Sequence, residues 1–178
     1  MERYHAPLSG KAEVTHAALA IWLAMTPVPH YYGVSGLAMS YHPIVDHWAD
    51  VNLVPRFLAR KVAEVESGYD PKARSKEWRK VGRVWKPGKI LARGMFQIAV
   101  KYQNHHVRNA GMAPSSFRWD DPSDSSRVGL HVLKWLLDRY GGDQVKAVAA
   151  FNAGLGRVES AKPLPRETVM HIAKVFGR

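Results

Sequence analysis

Glu66 is the residue whose surroundings most invite chemistry. It opens the run Glu66-Ser67-Gly68-Tyr69-Asp70-Pro71. Upstream, over 56–66, Phe57, Leu58, Val62 and Val65 recur at helical spacing, which predicts a helix with Glu66 at the edge of its apolar face. Gly68 is suited to end that helix in a left-handed conformation, and Pro71 blocks its resumption. The last turn is the negative end of the helix dipole, a poor place for a carboxylate. Apolar neighbours would disfavour the charged form further. A carboxyl group kept protonated near neutral pH can donate that proton to a leaving oxygen. Glu64, two residues earlier, falls on another face and serves as the internal control.

Taken alone, Glu66 reads more simply as a solvated glutamate at a helix edge. Two later segments add weight. In Gly94-Met95-Phe96-Gln97-Ile98, glycine permits close backbone approach and Gln97 offers both a donor and acceptors to hydroxyl or amide groups. Met95 and Phe96 are expected to line an apolar cleft, although a glycine-initiated helix start with core residues would look the same. In Ala150-Phe151-Asn152-Ala153-Gly154, an aromatic ring and an amide stand between small residues that admit a ligand. The plain alternative is a helix C-terminus with an asparagine near its cap.

These residues need a scaffold, and the remaining periodicity predicts a mostly α-helical single domain. A helix is expected over 98–110, stopped by Gly111. Another is expected over 127–140, with Val128, Val132, Leu133, Leu136 and Tyr140 inward, Asp124 or Ser125 as its cap, and Gly141-Gly142 at its end. Asp143 can cap a short helix that Gly154 closes. Pro165 suits the first turn of a final helix with Val169, Ile172, Ala173 and Phe176 inward. Few alternating runs point to more than a minor β-element. The stretch 30–50, rich in His, Tyr, Pro and Gly, reads as irregular. It divides the chain into an N-terminal extension, 1–50, and a main domain, 51–178. No internal repeat or low-complexity tract occurs.

Composition narrows the function. The chain has 178 residues, enough for one domain with a real core. It has no cysteine, which excludes disulfides, Cys-ligated zinc and cysteine nucleophiles. The nine histidines include no His-Glu-x-x-His, and the adjacent His105 and His106 cannot share one helix face; neither a metal nor a cofactor is expected. The formal net charge is +11, and twelve Lys or Arg against four acids lie between Arg56 and Arg93. Such a patch attracts polyanions or simply serves solubility. No zinc module, RNA-binding sheet motif or phosphate loop accompanies it, so nucleic acid is not expected as the partner. The most apolar run, 17–29, is shorter than the roughly 20 residues of a membrane span. It matches a signal-peptide core in length, but Glu2 and Glu13 beside Arg3 and Lys11 make a poor basic leader. Export signal, membrane anchor and packing arm all stay open.

In order and combination, the segments resemble the lysozyme-like lytic transglycosylases, a group that includes the goose-type lysozymes. The resemblance covers roughly 56–176. It includes the Glu-Ser-Gly helix end with Asp70-Pro71, Ala73-Arg74-Ser75, 94–98, Asp121-Pro122, 150–154 with Gly156-Arg157-Val158, and Pro163-Leu164-Pro165-Arg166-Glu167-Thr168. It implies a lysozyme-like domain acting on peptidoglycan glycan strands. Glu66 would be the sole catalytic acid and base. Ser75, Met95, Gln97, Phe151, Asn152 and Glu167 would bind substrate, with Glu167 also helping to fix the closing helix. The implied reaction breaks the β-1,4 bond after N-acetylmuramic acid and closes a 1,6-anhydro ring. A hydrolase of goose type and a non-catalytic peptidoglycan-binding component are the alternatives. The setting would be the periplasm or cell wall, reached by export or in a phage virion, with virion or secretion-complex proteins as further partners.

Four departures stand out. Phe96 stands where the family usually has Met before the Gln. The family commonly has Tyr where this chain has Phe151, so a hydroxyl near the catalytic carboxyl is missing. His171 replaces an aromatic residue after the Glu-Thr pair. The stretch between Ser75 and Gly94 is longer than usual and holds Trp78, Arg79, Lys80, Arg83, Trp85 and Lys86. It reads as a basic loop able to grip glycan by ring stacking and charge, or to dock another protein.

Overall fold

The computed structural model describes residues 36–160 and 162–177. The apolar run 17–29 lies outside the described residues. The first element is helix α1, Gly36–Val51. The irregular reading of 30–50 fails here from Gly36 onward, and the expected boundary near Asp50 falls inside the helix. Local composition is overridden by burial: Val45 and Ala49 are completely buried in the packing of α1 against the next helix and the longest one. Trp48 Nε1 donates to Ser123 Oγ at 2.9 Å, and Asp46 forms a two-pronged ion pair with Arg60.

Helix α2, Arg56–Ser67, follows. It buries Leu58 and Val62 as its periodicity predicts, together with Ala59 and Ala63, whereas Phe57, expected on the same face, is exposed. Gly68 ends it at φ 63°, its N–H donating to the carbonyl of Glu64 at 2.8 Å. Tyr69 continues the left-handed turn at φ 64°. It tolerates that conformation because its ring is buried and its hydroxyl donates to the carbonyl of Arg60 at 2.8 Å, which ties the break back onto α2.

The chain then forms an antiparallel sheet of three strands in sequence order: β1 (Arg74–Val81), β2 (Val84–Arg93) and β3 (Ile98–Ala99). The basic segment expected as a loop is therefore a two-stranded ribbon. Its signal was concealed because β1 is exposed along its whole length, so neither face alternates. The β-forming residues Trp78, Val81, Val84 and Trp85 flank a two-residue turn with Gly82 at φ 64°.

After β3 a short 3-10 turn, Val100–Tyr102, leads into α3, Gln103–Asn109. The single helix expected over 98–110 is split because Ile98 and Ala99 pair with Arg93 and Ala92. Helix α4, Pro122–Arg139, starts ahead of the expected 127. Its cap is Asp121, whose Oδ1 accepts the N–H groups of Ser123 and Asp124 at 2.9 and 3.0 Å, with Pro122 in the first turn. Helices α5 (Gln144–Ala153), α6 (Leu155–Val158) and α7 (Arg166–Phe176) complete the order. Asp143 caps α5 as expected, accepting the Lys146 N–H at 3.0 Å. In α7, Ile172 and Ala173 are buried, joined by Thr168, His171 and Val175.

Helix α4 is the central support. Its Val128, Leu130 and Leu133 are fully buried. It packs against α1 and α5, while α7 packs against both α2 and α5. Among the described residues, no helix is long and apolar enough to cross a membrane.

Candidate active site

The turn between β2 and β3 is held in place by α4. A Cβ on Gly129 would lie 2.4 Å from that of Phe96, so only glycine lets the turn sit this close to the helix. Gly94, at φ 78°, has no room either: a Cβ there would meet the carbonyl oxygen of Trp119 at 2.7 Å. Ser125 Oγ accepts the Phe96 N–H at 3.3 Å. The turn leaves Gln97 at φ 44°, a left-handed conformation that costs free energy in a non-glycine residue. Its backbone N–H and its Nε2 both donate to the carbonyl of Gly94, at 3.0 and 2.9 Å. Local strain is thus offset by two hydrogen bonds that fix the amide.

Gln97 faces a cleft of about 730 Å³. Phe151 and Asn152 from the end of α5 line it too, with Tyr102, His106 and Trp135. The second and third sequence segments are therefore brought together as expected. The lining includes no aspartate or glutamate.

Glu66 lies at the end of α2 and is not itself among the residues lining this cleft. Next to it, Ser67 Oγ donates to the carbonyl of Met95 at 2.8 Å, tying α2 to the turn that carries Gln97. On the other side, the Glu66 carboxyl meets His171 of α7, with Oε1 and Nε2 3.6 Å apart. Both side chains are nearly buried, at 12% and 9% exposure. Desolvation pushes the Glu66 carboxyl up to about 8. It pulls the His171 imidazole down to about 4, with a smaller push from Lys174. At neutral pH the pair is a carboxylic acid facing an uncharged imidazole, too far apart for a hydrogen bond. Glu64 differs as expected: it is exposed and paired with Lys61 at 2.8 Å.

Three expected site residues lie elsewhere. Met95 is completely buried, with Ser126 Oγ 3.9 Å from its sulfur; it props the turn from beneath instead of lining the cleft. Ser75 is exposed on β1 opposite Ala92 and is not among the lining residues. Glu167 is exposed in the first turn of α7, where a carboxylate suits the helix dipole. Sequence reasoning missed Tyr69, whose buried ring fixes the break after Glu66. It noted His171 only as a departure from an aromatic residue, and passed over Tyr102 and Trp135.

A small antiparallel sheet beside a helical lobe, with a nearly buried glutamate at the end of the helix that leads into the sheet, makes a lysozyme-like fold. The family model described as "Transglycosylase SLT domain" matches residues 43–169, and the chain belongs to that family. The match begins inside α1, well before Asp50. The soluble lytic murein transglycosylase of Escherichia coli K12 is 25% identical over 124 residues, covering 68% of this chain and 17% of that protein. Among solved structures, an inactive mutant of the lytic transglycosylase Slt from Pseudomonas aeruginosa superimposes with a TM-score of 0.62 at 21% identity, over 77% of this chain and 23% of that one. The 70 kDa soluble lytic transglycosylase of Escherichia coli gives a TM-score of 0.59 at 24% identity, over 76% and 22%. The chain thus spans less than a quarter of the length of each of these relatives.

Proposed function

We propose that this domain is a peptidoglycan lytic transglycosylase in which Glu66 is the acid and then the base. The observation that carries the reading is the near-burial of that carboxyl at the end of α2, which pushes it up to about 8, where a general acid is still protonated at neutral pH. Glu66 donates its proton to the oxygen of the β-1,4 bond between N-acetylmuramic acid and N-acetylglucosamine. The substrate's acetamido group supports the oxocarbenium-like state that follows. The ionised Glu66 then takes the proton of the muramic C6 hydroxyl, which attacks C1 and closes the 1,6-anhydro ring. Gln97 and Asn152 hydrogen-bond the sugar substituents, and Phe151 packs on a ring face. The site of action is the periplasm or cell wall, reached by export or within a virion or secretion machine.

Mass spectrometry of digested sacculi tests the chemistry. Products should end in 1,6-anhydromuramic acid, lighter by one water than reducing ends. Mostly reducing products would replace the reading with a goose-type hydrolase using the same glutamate. Intact sacculi after prolonged incubation would leave a non-catalytic peptidoglycan-binding module.

A further inference from the structure

The ribbon of β1 and β2 carries side chains that the fold does not use. Strand β1 is exposed along its whole length, and β2 is exposed from Val84 to Pro87. Trp78 and Trp85 are 62% and 61% exposed, and Val81 and Val84 at the tip are exposed too. Eight Lys or Arg stand between Arg74 and Arg93 against the single acid Glu77. None of the eight has a carboxylate partner among the described residues. Exposed apolar side chains rimmed by charge mark a surface for a partner, and the charge here calls for an anionic one.

The register decides what kind of partner fits. Cross-strand neighbours share a face, and successive residues alternate between faces. Trp78 stands opposite Pro87 and Lys80 opposite Trp85, while Arg79 pairs with Lys86 and Val81 with Val84. One face thus carries both tryptophans with Pro87 and Lys80, and the other carries both valines with Arg79 and Lys86. A glycan strand or a nucleic acid stacks on one face and leaves the other bare. Plain attraction to an anionic wall uses the cations but not the apolar residues. A bilayer interface surrounds a wedge on both sides. It takes tryptophan among the headgroups, valine at the acyl boundary, and Lys or Arg against anionic headgroups. Three residues of strand separate Trp78 from Val81, about 10 Å, which matches the depth of about 5–10 Å that interfacial segments reach. The unpaired backbone groups of β1 need water, so the docking is peripheral.

We infer that the tip of the ribbon, residues 78–87, docks on an anionic phospholipid surface. The inference does not depend on Glu66 or on the reaction. Strand β2 runs from that tip to the turn that carries Gln97. Ten residues of strand span about 34 Å, so a docked tip holds that turn within this distance of the membrane.

The test sediments the full chain with vesicles of phosphatidylcholine alone and of phosphatidylcholine mixed with phosphatidylglycerol. The mixed vesicles should be bound, and the plain ones about tenfold more weakly or worse. Trp78→Ala with Trp85→Ala should weaken binding to the mixed vesicles by about tenfold, and so should Val81→Ser with Val84→Ser on the opposite face. Both pairs are exposed, so thermal melts should change little and attachment to sacculi should stay as it is. Equal binding to the two kinds of vesicle, or binding to neither, overturns the inference. So does vesicle binding that survives both apolar pairs. Loss through the tryptophans alone, with sacculi attachment falling in step, makes the ribbon a glycan platform and overturns it too. Tryptophan emission that shifts with protein concentration in the absence of vesicles makes a second copy the occupant instead.

Discussion

Glu66 and His171 illustrate what burial does to two groups that would attract each other in water. Each is pushed toward its neutral form, so the linkage to stability has two opposite arms. The folded Glu66 carboxyl titrates above its unfolded value, so its contribution is whole below about pH 4.5 and is lost as pH rises toward 8. His171 titrates below its unfolded value, so its contribution is whole above about 6.5 and is lost as pH falls toward 4. Glu66→Gln should therefore abolish lysis of sacculi yet stabilise the fold at pH 7, by on the order of 3 kcal/mol and several degrees in Tm. At pH 4 the same variant should melt with the unaltered protein. Thermal melts at the two pH values check this, and equal shifts at both would remove desolvation as the cause. Activity of the unaltered protein should fall as pH passes 8, when the acid is lost. Glu64→Gln should retain most activity at every pH, because Glu64 is exposed and already paired with Lys61.

At the scale of elements, the turn that presents Gln97 exists only because α4 makes room for it. Gly129→Ala pushes a methyl group into Phe96, at 2.4 Å from its Cβ. It should cost about 1–3 kcal/mol by overpacking and also disturb Gln97, lowering kcat/KM where a simple surface change would not. Rescue of stability and activity together by a smaller side chain at 96 would identify that contact. The ribbon of β1 and β2 acts differently. Its Trp78, directly opposite Pro87, and Trp85, directly opposite Lys80, share one exposed face. Neutralising Arg79, Lys80 and Arg83 together should weaken attachment to sacculi and flatten its salt dependence, since exposed charges are screened over about 8 Å at physiological ionic strength. Attachment that is unchanged at low salt would separate the ribbon from substrate binding. The physics of these elements also explains what could be read in advance. Helices α2 and α7 were legible because an apolar stripe and a Gly or Pro at the end specify each, and α5 because Asp143 and Gly154 bound it. The ribbon and α1 were not: one has no buried face to create a pattern, and the other owes its helical state to partners distant in sequence. Likewise Glu66, Gln97, Phe151 and Asn152 stood out by type and spacing, whereas Met95 looked like a ligand contact until its burial placed it under the turn.

For the molecule as a whole, a wide cleft and a small, strongly basic hollow are both bordered by residues of the turn between β2 and β3, and α2 ends on one nearly buried carboxyl group. Sheet order adds a consequence of another kind. In the order β1-β2-β3, strand β1 has an unpaired edge, exposed from end to end. A bare edge of that length, with Trp78 and Val81 along it, is a template on which a second copy could add its own strand. Lys76, Arg79 and Lys80 stand along it, so two such edges brought together would meet charge against like charge. The cations of the ribbon thus oppose edge-to-edge pairing between two copies of the chain. The triple neutralisation should consequently make the protein self-associate more steeply as concentration rises, a change visible in light scattering and reversed by restoring a single lysine at position 80.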